Sequence, residues 1–184
     1  MAQFKSTRTL SKEAAAGPKQ AAMFNPVGKA WQQVKAVGLA LPLLATLADG
    51  SPTSSGVPRK RITIEGDGNC LFRSLSMVVC GAQDYHADIR RQLVAFMAAS
   101  PMVAGYVGAS LLPAHLEGMK KLRRWGTDNE LFSAALGLDT DIHTFKGGEW
   151  TRFSRHGCNL YPASYPAIYL ENSGVHYEPV LSVS

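Results

Sequence analysis

Between Cys70 and Leu138 apolar residues recur at helical spacing, and after Asp139 that period gives way to short β-prone runs. Leu71, Phe72, Leu75, Val78 and Val79 mark one face of a helix that starts at Cys70 and ends near Cys80-Gly81. A second predicted helix covers about residues 84–100, with Ile89, Leu93, Phe96 and Met97 on one face and Pro101 as its stop. A third covers about residues 113–122. Thr127 or Asp128 can cap a fourth, with Glu130 in its first turn and Leu131, Ala134, Ala135 and Leu138 along it, ending at Gly137 or soon after. Then come β-prone runs at 142–145, 150–153, 168–170 and 177–183, separated by Gly-Gly, Pro and Asn-Ser-Gly turns. Helices followed by strands predict an α+β domain, its helices packed around a small, mostly antiparallel twisted sheet.

The segment 49–60 (DGSPTSSGVPRK) is too rich in Gly, Ser and Pro to sustain a helix or strand pattern. It sets a boundary: a folded domain over residues 61–184, opened by a short extended run at 61–64, and an arm with its linker over residues 1–60. Charge divides at the same place. Residues 1–61 carry nine Lys and Arg against two acids, and residues 62–184 carry ten against twelve, so the basic excess behind the net charge of +5 lies in the N-terminal third. The arm is expected to be weakly ordered, with one short helix over 27–47. Its apolar run 37–48 (VGLALPLLATLA) is interrupted by Pro42 and is too short for a membrane span, which needs about twenty residues. A cleavable signal is disfavoured because some thirty-five residues precede that run, too many for a normal n-region. The Lys, Arg, Ser and Ala bias of the first twenty residues leaves organelle targeting open.

Cys70, Cys80 and Cys158 are an odd set without a CxxC pair or a zinc-ligand spacing. A reducing compartment, the cytoplasm, is expected, with no metal and no cofactor. The stretch EGDGNCLFRSLS, residues 65–76, places Cys70 where a glycine turn becomes a helix. A thiolate at a helix N-terminus is stabilised by the macrodipole and by N–H groups lacking intrahelical partners. Gly66 and Gly68 would give that turn positive φ and leave N–H groups facing an oxyanion. A thiol nucleophile also needs a base. Of His86, His115, His143, His156 and His176, the last stands out: it follows the turn Glu171-Asn172-Ser173-Gly174 and opens a strand in which Glu178 projects to its own side. Trp125, beside Gly126, reads as core packing, and Tyr177 as packing on the sheet's other face.

Residues 65–76 resemble the nucleophile block of the ovarian tumour (OTU) family of cysteine deubiquitinases, which reads Asp-Gly-Asn-Cys, a large apolar residue, Phe and then a helix. Ile168-Tyr169-Leu170, Asn172 and His176-Tyr177-Glu178-Pro179-Val180 resemble its histidine block. Trp125-Gly126, Glu130-Leu131, Ala134 and Ile142 resemble its middle block. Together they cover roughly residues 61–183; the first sixty match none of these blocks. The resemblance implies an OTU-like fold and hydrolysis of the isopeptide or peptide bond after the C-terminal glycine of ubiquitin, with ubiquitin-like modifiers left open as further substrates. It implies Cys70 as nucleophile, His176 as base and acid, Glu178 as the residue orienting the imidazole, and Asp67 shaping an oxyanion loop with Gly68 and Asn69. The family usually has Asp, sometimes Asn, where Glu178 stands, so Asn172 is the alternative third member. The expected partner is ubiquitin or polyubiquitin, bound by a monomer. An inert ubiquitin-binding module would not require the intact Cys70 and His176. A nucleic-acid-binding arm is the third reading, but charge alone gives only salt-sensitive, unspecific binding. A viral, bacterial-effector, mobile-element or cellular source is equally compatible with the sequence.

Overall fold

The structure is a computed structural model, and residues 23–161, 163 and 166–184 are described. The basic segment before Met23 lies outside the described residues. In chain order the elements are β1 (Met23–Phe24), α1 (Lys29–Gly38), β2 (Thr53–Ser54), β3 (Pro58–Arg61), α2 (Cys70–Cys80), α3 (His86–Ala99), α4 (Pro101–Val107), α5 (Leu112–Met119), α6 (Asp128–Gly137), β4 (Ile142–Lys146), β5 (Glu149–Phe153), β6 (Ile168–Asn172) and β7 (Tyr177–Val183).

Five strands form one sheet in the order β3-β7-β6-β4-β5, in which only β4 and β6 run parallel. This is the α+β arrangement expected, helices on a mostly antiparallel sheet. The helix α2 lies in the main core. Leu71, Phe72 and Leu75 are 1% exposed or less and pack in one cluster with Met97, Leu131, Ile142, Ile168 and Leu170. Each such side chain contributes about 2 kcal/mol by leaving water. The N-terminus of α6 is fixed by a capping box, in which Glu130 Oε2 accepts from Thr127 N at 2.8 Å while Thr127 Oγ1 accepts from Asn129 N.

Two expectations from the sequence are corrected. Pro101 does end α3, yet it also opens α4: Ser100 Oγ accepts from Val103 N, and a proline at the first helical position gives up an N–H that has no partner there anyway. The part of the arm and linker that is described, from Met23, is integral to the fold. Val27 belongs to the main core, and buried Gln32 on α1 donates to Val78 O at 2.9 Å and accepts from Leu47 N at 2.7 Å. Trp31 donates to Thr140 Oγ1, and Leu44 N to Cys80 O. The helix of this segment is shorter than expected, ending at Gly38, and the chain beyond it runs extended across the end of α2. The linker itself supplies β3, which pairs with β7 through registers at Pro58, Lys60 and Arg61. Proline is tolerated because β3 is an edge strand.

Candidate functional site

The loop ahead of α2 is held from several directions. Asp67 Oδ1 accepts from Asn69 N at 3.0 Å and Oδ2 from Asn69 Nδ2 at 2.8 Å, a short turn closed by its own side chains. Arg73, one turn into α2, donates to both Asp67 oxygens at 3.1 and 2.7 Å. The Arg73 hydrogen bonds, helped by Asn69, hold the Asp67 carboxyl well below the usual carboxylate range despite its partial desolvation. Gln83 ties the start of the loop, accepting from Glu65 N and donating to Thr63 O. Gly68 alone of the two loop glycines has positive φ, +82°, and a Cβ there would lie 2.5 Å from Arg123 O. Cys70 then takes the first position of α2, where N–H groups face away from the helix.

His176 stands across this loop. A Cβ placed on Gly66 would be 4.0 Å from its Nδ1 and Cε1, so that edge of the ring faces the nucleophile loop. Its Nε2 lies 3.6 Å from Glu178 Oε1, which also accepts from Ile64 N at 3.4 Å. Three of the other histidines have partners of their own, and the fourth, His86, is left with a buried, unpaired Nδ1. Burial pushes His143 down to about 4 against the stacked ring of Tyr169; His115 Nε2 is 2.5 Å from Glu130; His156 packs on Tyr161; burial pushes His86 down.

A cleft of about 320 Å³ reaches Cys70. The segment ahead of α6 contributes Trp125 to Asp128, the turn between β6 and β7 contributes Asn172, Gly174 and Val175, and Lys146 and Tyr177 complete it. Asn172 holds that turn, accepting from Gly174 N at 2.8 Å and donating to Tyr177 Oη at 3.1 Å. Its amide is spent there, whereas Glu178 is the carboxylate beside His176. Among the described residues no three His, Cys, Asp or Glu side chains gather as a metal-ligand group.

A family model described as the OTU domain of vertnin matches residues 61–102. OTU domain-containing protein 1 of Mus musculus is 34% identical over 93 residues, 48% of this chain and 19% of the relative. An Arabidopsis thaliana relative, OVARIAN TUMOR DOMAIN-containing deubiquitinating enzyme 9, is 38% identical over 73 residues, 39% of this chain and 21% of its own length. The matched region thus spans about a fifth of these curated relatives. The solved OTU domain of OTUD1 superposes with a TM-score of 0.55 at 26% identity, covering 66% of this chain and 85% of that one. The chain has the OTU-domain fold. The viral OTU domain protease from Dera Ghazi Khan virus shares the fold, with a TM-score of 0.55 at 20% identity over 66% of this chain and 79% of its own.

Within this fold the sequence reading needs two corrections and one addition. Asn69, expected at the oxyanion, is 2% exposed and turned inward: its Oδ1 accepts from Arg90 Nη2 at 3.0 Å and Arg123 N at 2.7 Å, and its own N–H is held by Asp67. A fully satisfied buried amide anchors the loop and leaves nothing for a ligand. Trp125 is 53% exposed on the cleft and is not core. The backbone at Gly126 lies so close to α2 that a Cβ would meet Leu71 Cδ2 at 2.4 Å, and this sets the tryptophan facing outward. The addition is Arg90, 1% exposed, which donates to Asn69, Met119 O and Arg124 O and stacks over the Phe72 ring at 3.9 Å. It joins the nucleophile loop to the segment that carries Trp125. Desolvation lowers its guanidinium to about 10.

Proposed function

We propose that this OTU domain is a cysteine-dependent deubiquitinase that hydrolyses the isopeptide or peptide bond after the C-terminal glycine of ubiquitin. The observation that carries the reading is the pairing of two features: Cys70 at the first position of α2 on a cleft, and His176 facing the same loop with a carboxylate behind it. Similarity to a named deubiquitinase supports the substrate class, as does the shared fold of the Hazara virus OTU, solved bound to ubiquitin.

In this reading the Cys70 thiolate attacks the carbonyl carbon of the terminal glycine, and the oxygen takes up the negative charge. The N–H groups at the start of α2 and on the Gly68 turn are the donors for that oxygen, since Asn69 is committed elsewhere. Collapse of the tetrahedral species breaks the C–N bond, and the imidazolium, through the Nδ1 edge facing the loop, gives its proton to the leaving lysine amine. Water then attacks the thioester, passing a proton to His176, and the glycine carboxylate leaves with Cys70 restored as thiolate. Glu178, with its Oε1 3.6 Å from Nε2, favours the proton on Nε2 and so the tautomer that leaves Nδ1 free on the loop side.

The test is a ubiquitin bearing a C-terminal thiol-reactive group, followed by mass mapping, with the same warhead on ubiquitin-like modifiers run alongside. One adduct is expected, on Cys70. Cys80 is fully buried and desolvation raises its thiol, so it should stay free, as should Cys158. Labelling of Cys80 or Cys158 with Cys70 untouched overturns the assignment. A labelled Cys70 without turnover of ubiquitin chains would instead assign an inert binding module.

A further inference from the structure

Glu178 has one methylene more than an aspartate between backbone and carboxylate, and a second carboxylate stands beside it. Glu171 on β6 is its direct cross-strand partner on β7. Like charges placed opposite one another across two strands repel. Arg61, on β3, reaches across β7 to bind Glu171 with a two-pronged fork, Nε to Oε2 and Nη2 to Oε1, the second at 2.9 Å. The three side chains are only a quarter to a third exposed, so they are not freely solvated. The charge of Glu178 also raises Arg61, after the hydrogen bond and charge of Glu171, in keeping with the strand registers Arg61 to Val180 and Glu171 to Glu178.

We propose that the Arg61–Glu171 pair is a positioning device for Glu178. Glu171 occupies the guanidinium donors that would otherwise draw the Glu178 carboxylate away from His176, and Arg61 neutralises the charge that would otherwise push it away. The inference rests on the reading of His176 as the base. It makes a sharp claim: each member of the pair is harmful to the site without the other.

The experiment is a double-mutant cycle on the full chain with R61Q, E171Q and R61Q/E171Q, plus R61K, which keeps the charge and loses the fork. Two readouts are taken. One is steady-state hydrolysis of a fluorogenic ubiquitin substrate; the other is the hydrogen-bonded Nε2–H resonance of His176, identified by its loss in His176→Gln and observable without any substrate. Each single variant should lose about 3- to 30-fold in kcat with little change in KM, from a coupling of the usual size between adjacent groups. The double variant should recover to within about threefold of wild type, with R61K between wild type and R61Q. The Nε2–H resonance should weaken in the singles and return in the double variant. A double variant as impaired as the worse single, or losses that simply follow thermal stability, would make the pair a strap between strands and overturn the inference. If the wild-type chain does not hydrolyse ubiquitin, the functional reading fails while the resonance still decides the positioning role.

Discussion

Gly68→Ala is the substitution whose cost can be worked through most completely. At φ +82° an alanine gives up about 1–2 kcal/mol of backbone preference. Its Cβ would also sit 2.5 Å from Arg123 O, a backbone atom with little freedom to yield. Moving that carbonyl disturbs the bonds on either side of it, Arg123 N to Asn69 Oδ1 at 2.7 Å and Arg90 Nη2 to Arg124 O at 2.8 Å, each worth about 1 kcal/mol. The sum is about 3–4 kcal/mol, a fall in Tm of about 6–16 °C for a domain of this size. Gly174→Ala is the internal reference: φ is +99°, yet nothing lies within 4 Å of its Cβ, so only the backbone preference is lost. That is about 1–2 kcal/mol, or about 2–8 °C. Thermal unfolding followed by far-ultraviolet circular dichroism measures both. Labelling of Gly68→Ala by the ubiquitin probe should also slow, because the displaced turn carries the proposed oxyanion donors. A Gly68→Ala chain that melts no lower than Gly174→Ala and labels at the wild-type rate would refute the argument that this loop is pinned through Arg123.

A chain beginning at Pro58 should fail to fold cooperatively, because it lacks Val27, Trp31 and Gln32 and leaves Val78 O without its buried donor; a sharp unfolding transition would refute this. Asp67→Asn should be less stable than wild type at neutral pH. The folded carboxyl is depressed, so its contribution is complete above the ordinary aspartate range and fades as pH falls through and below it; urea midpoints of the two chains should therefore converge in acid. Trp125→Ala, at a half-exposed position, should leave Tm within about 2 °C while lowering kcat/KM for ubiquitin substrates about tenfold or more, as steady-state kinetics would show. Glu178→Gln should cost about tenfold to a thousandfold in turnover without unfolding, less than Cys70→Ala or His176→Ala, and Asn172→Ala should not imitate it, because its amide serves the turn.

What was legible in the sequence followed repetition and local chemistry. Leu71, Phe72, Leu75, Val78 and Val79 announce α2 because five apolar residues share one face, and Thr127 with Glu130 announces α6 because a capping box is a local pair. His176 and Glu178 could be placed on one side of a strand from alternation alone. The misses depend on distant partners. In residues 23–57 the anchoring is done by single residues such as Phe24, Val27 and Gln32, whose importance arises only where Tyr169, Val78 and Leu47 meet them. An arginine in an amphipathic helix ordinarily reads as solvated, and nothing adjacent to Arg90 reveals that three backbone or amide oxygens from Asn69, Met119 and Arg124 converge on it. Trp125 reads as core because tryptophan usually is, and the close approach of Gly126 to Leu71 that turns it outward is a contact between segments more than fifty residues apart.

The strand that carries His176 and Glu178 on its leading end is later in the chain than both of the strands it separates. Both β3 and β6 pair with β7, so without it each would keep an unpaired edge and the sheet would be two pieces. Joining them requires contacts between residues over a hundred positions apart in the case of Arg61 and Val180, a topology that folds slowly. The imidazole and its carboxylate therefore come to the Cys70 loop only with the strand that completes the sheet, so the candidate site and the sheet are finished together.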